Sequence, residues 1–183
     1  MFNNRFIGAA CAIALGFAAA SASADVMVGG SAMLPQKNIV QNAVNSKDHT
    51  TLVAAVKAAG LVDTLQGKGP FTVFAPVNAA FDALPAGTVE SLLKPENKAA
   101  LTKVLTYHVV AGKLEAAALI KAVDAGGGKA TLTEVSGGTL TVTKSGTMIM
   151  LSDESGGMAH VTIPDVVQSN GVIHVVDKVL LPK

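Results

Sequence analysis

Cysteine occurs once in the 183 residues, at Cys11, and arginine once, at Arg5. Both fall in an N-terminal stretch that reads as removable. Arg5 supplies a positive start, Phe6 to Ala20 is apolar, and Ala22-Ser23-Ala24 offers the small residues a signal peptidase accommodates. The apolar run is shorter than the roughly 20 residues a membrane-spanning helix needs. It also lies mostly after Cys11, which argues against lipid attachment at that cysteine. Residues 1–24 are therefore expected to be a signal peptide cleaved after Ala24, giving a secreted or periplasmic protein with no membrane span.

What remains after that cut is defined by further absences. Taking 24 residues from 183 leaves 159, enough for one domain with a sizeable core. Without Cys11 there is no disulfide, thiolate metal site or cysteine nucleophile, so packing must hold the fold. Without Arg5 the basic residues fall from 14 to 13, against 13 acidic ones. A neutral chain free of arginine has no electrostatic basis for binding nucleic acid. No Gly-x-Ser-x-Gly elbow is present. Gly126-Gly127-Gly128-Lys129-Ala130 lacks the leading glycine and the hydroxyl of a phosphate loop. Neither an Arg-Gly-Asp sequence nor, after residue 24, an Asn-x-Ser/Thr acceptor occurs.

Residues 25–37 show no clear periodicity and read as an extended arm; residues 38–183 read as one domain without linker or repeat. Asp48 to Ala59 places Leu52, Val53, Val56 and Ala59 on one helical face, with Gly60 as the stop. A short helical piece at 61–65, a strand at Phe71 to Phe74, a helix capped by Asn78, and helices near 88–93, 96–106 and 114–123 follow. The period then changes. Thr131 to Val135 and Thr139 to Thr143 alternate across Gly137-Gly138, a hairpin pattern. Strands at 148–151, 158–163 and 172–181 complete an α+β reading, helices first and antiparallel strands after.

Two segments are more specific: Phe71-Thr72-Val73-Phe74-Ala75-Pro76-Val77-Asn78-Ala79-Ala80-Phe81, and Asn170-Gly171-Val172-Ile173-His174-Val175-Val176-Asp177-Lys178-Val179-Leu180-Leu181-Pro182. With Tyr107-His108 between them, they resemble the signature of the fasciclin (FAS1) domain, in family order and spacing. Val77 stands where the family has threonine. The resemblance implies a wedge or sandwich of short strands with helices packed around it. It also implies a secreted or surface-attached, non-catalytic role in cell adhesion or extracellular binding. The expected partner is a cell-surface or matrix protein or a polysaccharide, the protein acting as a monomer without cofactor.

The signature residues themselves look like scaffold: Phe71, Phe74 and Phe81 as core anchors, Pro76 and Asn78 at a strand-to-helix corner, Gly171 in a turn, and His174 within a strand buried on both faces. His108, beside Tyr107, reads as a core histidine bonded to backbone, or alternatively as a ligand contact. In vertebrate matrix members, integrin contact is assigned to a Glu-Pro-Asp-Ile-Met stretch. Here Pro164 and Asp165 match it and Val166 is conservative, while Ile163 and Val167 differ. Asp165 could present its carboxylate to a receptor or simply close a turn.

His160, Asp165, His174 and Asp177 are the candidate metal ligands, without helical spacing; His174 and Asp177 should face opposite ways on a strand. Ser169, His174 and Asp177 form a triad in composition only. An alternative to adhesion is sequestration of an apolar small molecule or lipid in a cavity lined by Met148, Met150 and Met158, which read otherwise as ordinary core.

Overall fold

The computed structural model describes residues 25–183, so the proposed signal peptide at 1–24 lies outside the described residues. The first of them form a hairpin rather than an arm: β1 (Val26–Val28) pairs antiparallel with β2 (Ser31–Met33). Gly29 and Gly30 make the turn with φ of 58° and 75°. A side chain at Gly29 would strike Ser46 and the backbone of Lys47 and Asp48, at 2.5–2.8 Å. Val28 and Met33 are buried in the core. The arm reading fails because the two strands are only three residues long, too short to show alternation.

The helical half follows. α1 (Ile39–Ala43) opens with a capping box between Asn38 and Gln41. A 3-10 turn at Lys47–His49 leads into α2 (Thr50–Ala59), which buries Leu52, Ala55, Val56 and Ala59. Gly60 ends α2 in the left-handed conformation, φ 74°, its N–H returning to Lys57 and Val56. α3 (Val62–Gln66), α4 (Asn78–Asp82), α5 (Thr88–Leu93) and α6 (Lys98–Tyr107) follow the expected periodicity, and α7 (Ala116–Ala125) comes after a short strand.

The strands form a seven-stranded sheet, numbered in chain order as β3 (Phe71–Pro76), β4 (Val109–Ala111), β5 (Lys129–Thr133), β6 (Thr139–Ser145), β7 (Met148–Ser152), β8 (Met158–Gln168) and β9 (Gly171–Val176). Their spatial order is β4-β3-β9-β8-β7-β6-β5. The sheet rolls until its ends nearly meet: Val110 bridges Glu134, and the Val135 N–H donates to the Val109 carbonyl at 2.9 Å. Two expectations are corrected. The sheet is not wholly antiparallel, since β3 and β9 pair in parallel from Phe71↔Gly171 to Pro76↔Val176. And β8 does not stop at Ile163. It continues through Pro164 and Asp165 by irregular register between Val161, Ile163 and Val166, as a bulge lets a strand carry an unpaired proline.

β3 and β9 are buried on both faces, as their unbroken apolar runs predict. Val73, Ala75, Ile173 and Val175 join a helical-side core with α1, α2 and α6. Phe74 and Val176 face the other way, into a barrel core with Tyr107, Leu119, Val123, Leu140, Val142 and Leu151. Two cores thus share one pair of strands.

Candidate functional site

Asn78 was expected to cap the helix it opens. Val77 occupies that cap instead, and the Asn78 carboxamide reaches across to α2. Its Oδ1 accepts from the Thr51 N–H (3.1 Å) and the Thr50 hydroxyl (3.2 Å), and its Nδ2 donates to the Lys47 carbonyl (2.8 Å). It caps a neighbouring helix because α2 has no capping side chain of its own. Pro76 and Phe81 hold the corner and the core contact assigned to them, both buried, and Phe71 is half-buried.

His174 sits at the centre of β9, fully buried and stacked on Phe74 with ring centroids 5.6 Å apart. Its Nε2 lies 2.7 Å from the Leu114 carbonyl, which can only accept, so Nε2 carries the proton. Nδ1 is then free to accept the Asp165 N–H at 3.3 Å. Burial holds this imidazole below its ordinary pKa, with the Leu114 bond opposing. Close by, the Thr72 hydroxyl donates to the Gly112 carbonyl (2.6 Å) and accepts the Leu114 N–H (2.8 Å). Asp165 Oδ1 accepts the Ala116 N–H at 2.6 Å, in the first turn of α7. Thr72, His174 and Asp165 therefore pin the strap 112–116 to the sheet.

Asp165 itself has φ 55°, a conformation it tolerates better than most non-glycine residues. Of the segment proposed for receptor contact, Pro164 is exposed and Asp165 half-buried with one oxygen committed to the helix. Val166 is 1 % exposed and belongs to the helical-side core, which corrects its assignment as a contact residue. Two residues apart, Pro164 and Val166 would share a face in a regular strand; the register shift between Ile163 and Val166 leaves the first in solvent and turns the second inward.

Tyr107 and His108 are corrected in the same way, since both are buried. The Tyr107 hydroxyl donates to the Thr139 carbonyl (2.8 Å) and accepts the Glu154 N–H (3.1 Å). Burial first, and the nearby carboxylates after it, push its pKa up to about 12. His108 donates from Nδ1 to the Val104 carbonyl (2.8 Å) and accepts the Leu180 N–H at Nε2 (3.0 Å). Burial pushes it down to about 4, so it is neutral and tied to backbone, as one of its two readings expects.

The candidate metal ligands separate into pairs. His160 and Asp177 meet at 2.9 Å, away from His174 and Asp165, and among the described residues no three His, Cys, Asp or Glu side chains surround one point. Ser169, His174 and Asp177 do not assemble: both His174 nitrogens are held by backbone and Asp177 bonds to His160. The methionine expectation is also corrected. Met148 and Met158 are about half exposed on the outer face of the sheet, neither lining a cavity nor in the core. The apolar cavity lies instead in the helical-side core and measures about 50 Å³, well under the roughly 150 Å³ that accepts a benzene-sized guest.

A wider recess, about 580 Å³, opens where the β8–β9 turn meets the loop after α3. Gln66, Lys68, Lys113, Ser169 and Asn170 line it. Asn170 is occupied structurally, accepting the Ile39 N–H (3.1 Å) and donating to the Leu65 and Gly67 carbonyls (2.7 and 3.1 Å). Gly171 packs so closely on Phe71 that a side chain would overlap its carbonyl at 2.0 Å. Sequence reasoning missed this recess because its walls come from segments a hundred residues apart; the run Gly67-Lys68-Gly69-Pro70 read only as a helix stop. Among the described residues no helix is long and apolar enough to cross a membrane.

The family model of the fasciclin domain matches residues 47–182. Protein sll1483 of Synechocystis sp. is 52% identical, over 79% of this chain and 73% of its own length. Immunogenic protein MPB70 of Mycobacterium bovis is 36% identical over 96% of this chain and 82% of its own. The solved FAS1 domain pair from the insect cell adhesion molecule fasciclin I superposes with a TM-score of 0.71 at 19% identity, covering 80% of this chain. The chain spans about half of that structure, 51%.

Proposed function

The chain belongs to the fasciclin domain family, and on that premise we propose that it is an exported, non-catalytic domain acting by surface contact with a cell-surface or matrix protein or polysaccharide. The observation that carries the reading is where its polar groups are spent. Tyr107, His108 and His174 are buried and bonded to backbone, so none is left as acid, base or nucleophile facing a recess. What faces outward is the cleft of about 580 Å³, within the range of ligand sites, with Lys68, Lys113, Gln66 and Ser169 around it. These groups suit hydroxyl-rich or carboxylate-bearing surfaces. The superposable insect protein is a cell adhesion molecule, which supports contact as the mode of action.

Immobilised protein should retain cells or matrix material, and the Lys68→Glu, Lys113→Glu double variant should retain several times less. Failure of the unaltered protein to retain either would remove the reading. For export, the N-terminus of protein recovered outside the cytoplasm should be Asp25; an intact Met1 there would contradict cleavage.

A further inference from the structure

Alternation along β7 and β8 turns Ile149, Leu151 and Ala159 into the barrel core. Their neighbours Met148, Met150, Met158 and His160 must then project from the outer face. Met148 is 51% exposed and Met158 46%; Met150 and His160 are half-buried. The register makes Met150 the direct cross-strand partner of His160, with Met158 opposite Ser152. Directly opposed Cβ atoms in an antiparallel pair lie about 4.5–5.5 Å apart, and diagonal neighbours about 7–8 Å, within reach of long side chains. His160 is therefore the hub of a cluster: Met150 across from it, Met158 two residues back on its own strand, and Met148 on the diagonal.

The imidazole is already aimed. Asp177 accepts the His160 backbone N–H at Oδ1 (2.7 Å) and faces ring Nδ1 with Oδ2 (2.9 Å). A carboxylate can only accept here, so Nδ1 carries a proton, and in the neutral ring the lone pair is on Nε2. Among the described residues Nε2 has no hydrogen-bond partner. A carboxylate on one ring N–H is the arrangement that fixes the other nitrogen as a metal ligand. The donors around it are three uncharged thioethers, a soft set that selects Cu(I) over oxygen-seeking cations.

We propose that Met148, Met150, Met158 and His160 Nε2 form a surface site for Cu(I), with Asp177 as the positioning residue. The site does not depend on the adhesive reading, sharing no residue with the cleft. It accounts for long, flexible apolar side chains standing in water on one face.

The test is an anaerobic titration of the purified protein with Cu(I) against a chromophoric Cu(I) chelator, which should show one equivalent taken up. Met150→Leu and Met158→Leu, which keep side-chain size, should each weaken binding severalfold, and His160→Gln should abolish competition. Asp177→Asn should cost about 10–100-fold in affinity. Met27→Leu, at an exposed methionine elsewhere, should change nothing. With Ag(I) as a redox-inert probe, the methyl resonances of Met148, Met150 and Met158 should shift while that of Met27 stays, also in Asp177→Asn at saturating Ag(I). No uptake by the unaltered protein overturns the proposal. So does uptake unchanged in the Met150→Leu, Met158→Leu double variant, or an equal shift at Met27.

Discussion

The helical-side core and the barrel core lie back to back on β3 and β9 and are built from different elements. The helical side gathers medium-sized residues from the N-terminal hairpin and several short helices, and leaves a cavity of about 50 Å³ among Val40, Leu52, Val56 and Val166. The barrel side is lined by Leu140, Val142, Leu151, Ala159 and Val176, all at 0% exposure. Rolled strands present side chains at fixed spacing, and α7 lays Leu119 and Val123 onto them. The cavity lies where the N-terminal hairpin, α1, α2 and α3 converge over β3, not among the rolled strands that carry α7. The difference says which side tolerates change.

Truncating Phe74 should show the largest effect. It is fully buried in the barrel core and stacks on His174, so Phe74→Ala should lose about 3–5 kcal/mol in urea unfolding. Next comes a matched pair that could break the comparison outright. Val142→Ile adds a methylene to the close-packed side and should cost about 1–3 kcal/mol. Val166→Ile points the same methylene into the cavity and should gain up to about 0.8 kcal/mol. Equal losses in both variants would mean the two cores are equally tight. Asp165→Ala should cost about 1 kcal/mol through the lost cap on α7, with cell or matrix retention unchanged; a loss of retention at intact stability would return Asp165 to the contact surface.

A fourth test reads a slope rather than a size. Glu134 sits at the seam of the rolled sheet, buried, with Oε1 unbonded and Oε2 accepting from Ser136 at 3.1 Å. Burial, with Glu154 adding to it and Ser136 opposing, raises its pKa from 4.5 to about 8. A folded-state pKa above the unfolded one stabilises below pH 4.5 and loses that contribution as pH rises through about 8. His108 acts oppositely. Lowered from 6.5 to about 4, it contributes above pH 6.5 and loses that contribution as pH falls through about 4. Between pH 4.5 and 6.5 the two slopes oppose each other, so urea midpoints should fall from about pH 6.5 to 8 through Glu134 and below about pH 4.5 through His108. Glu134→Gln should remove the first fall and uncover the His108 slope from pH 6.5 down to about 4. Amide exchange at alkaline pH should open β4 and β5 before α2; the reverse order would place the weakness in the helical side.

Much of this was legible in the residues. The stop at Gly60, the helical face of Leu52, Val56 and Ala59, the alternation through Thr139 to Thr143 and the doubly buried run at Val172 to Val176 are all local signals, and each appears where the spacing puts it. The hairpin at residues 26–33 is marked locally only by its turn, Gly29-Gly30 between Val26-Met27-Val28 and Ser31-Ala32-Met33. The role of Asn78 carried no local signal, since capping a different helix depends on what comes alongside. Nor did the burial of Val166, because Pro164 reads as a strand end when nothing shows the bulge that absorbs it.

By itself, the sequence determined which short stretches are helix or strand, which face of each is apolar, and the family to which the whole belongs. Those follow from periods of 3.6 and 2 and from turn residues, which act over a few neighbours. Tertiary structure alone decided the parallel pairing of β3 with β9, the seam at Glu134, the backbone partners that consume His108 and His174, and the outward stand of Met148, Met150 and Met158. A period tells that a side chain is apolar or faces one way. What covers it, or leaves it in water beside a histidine, is settled only when distant strands come into register.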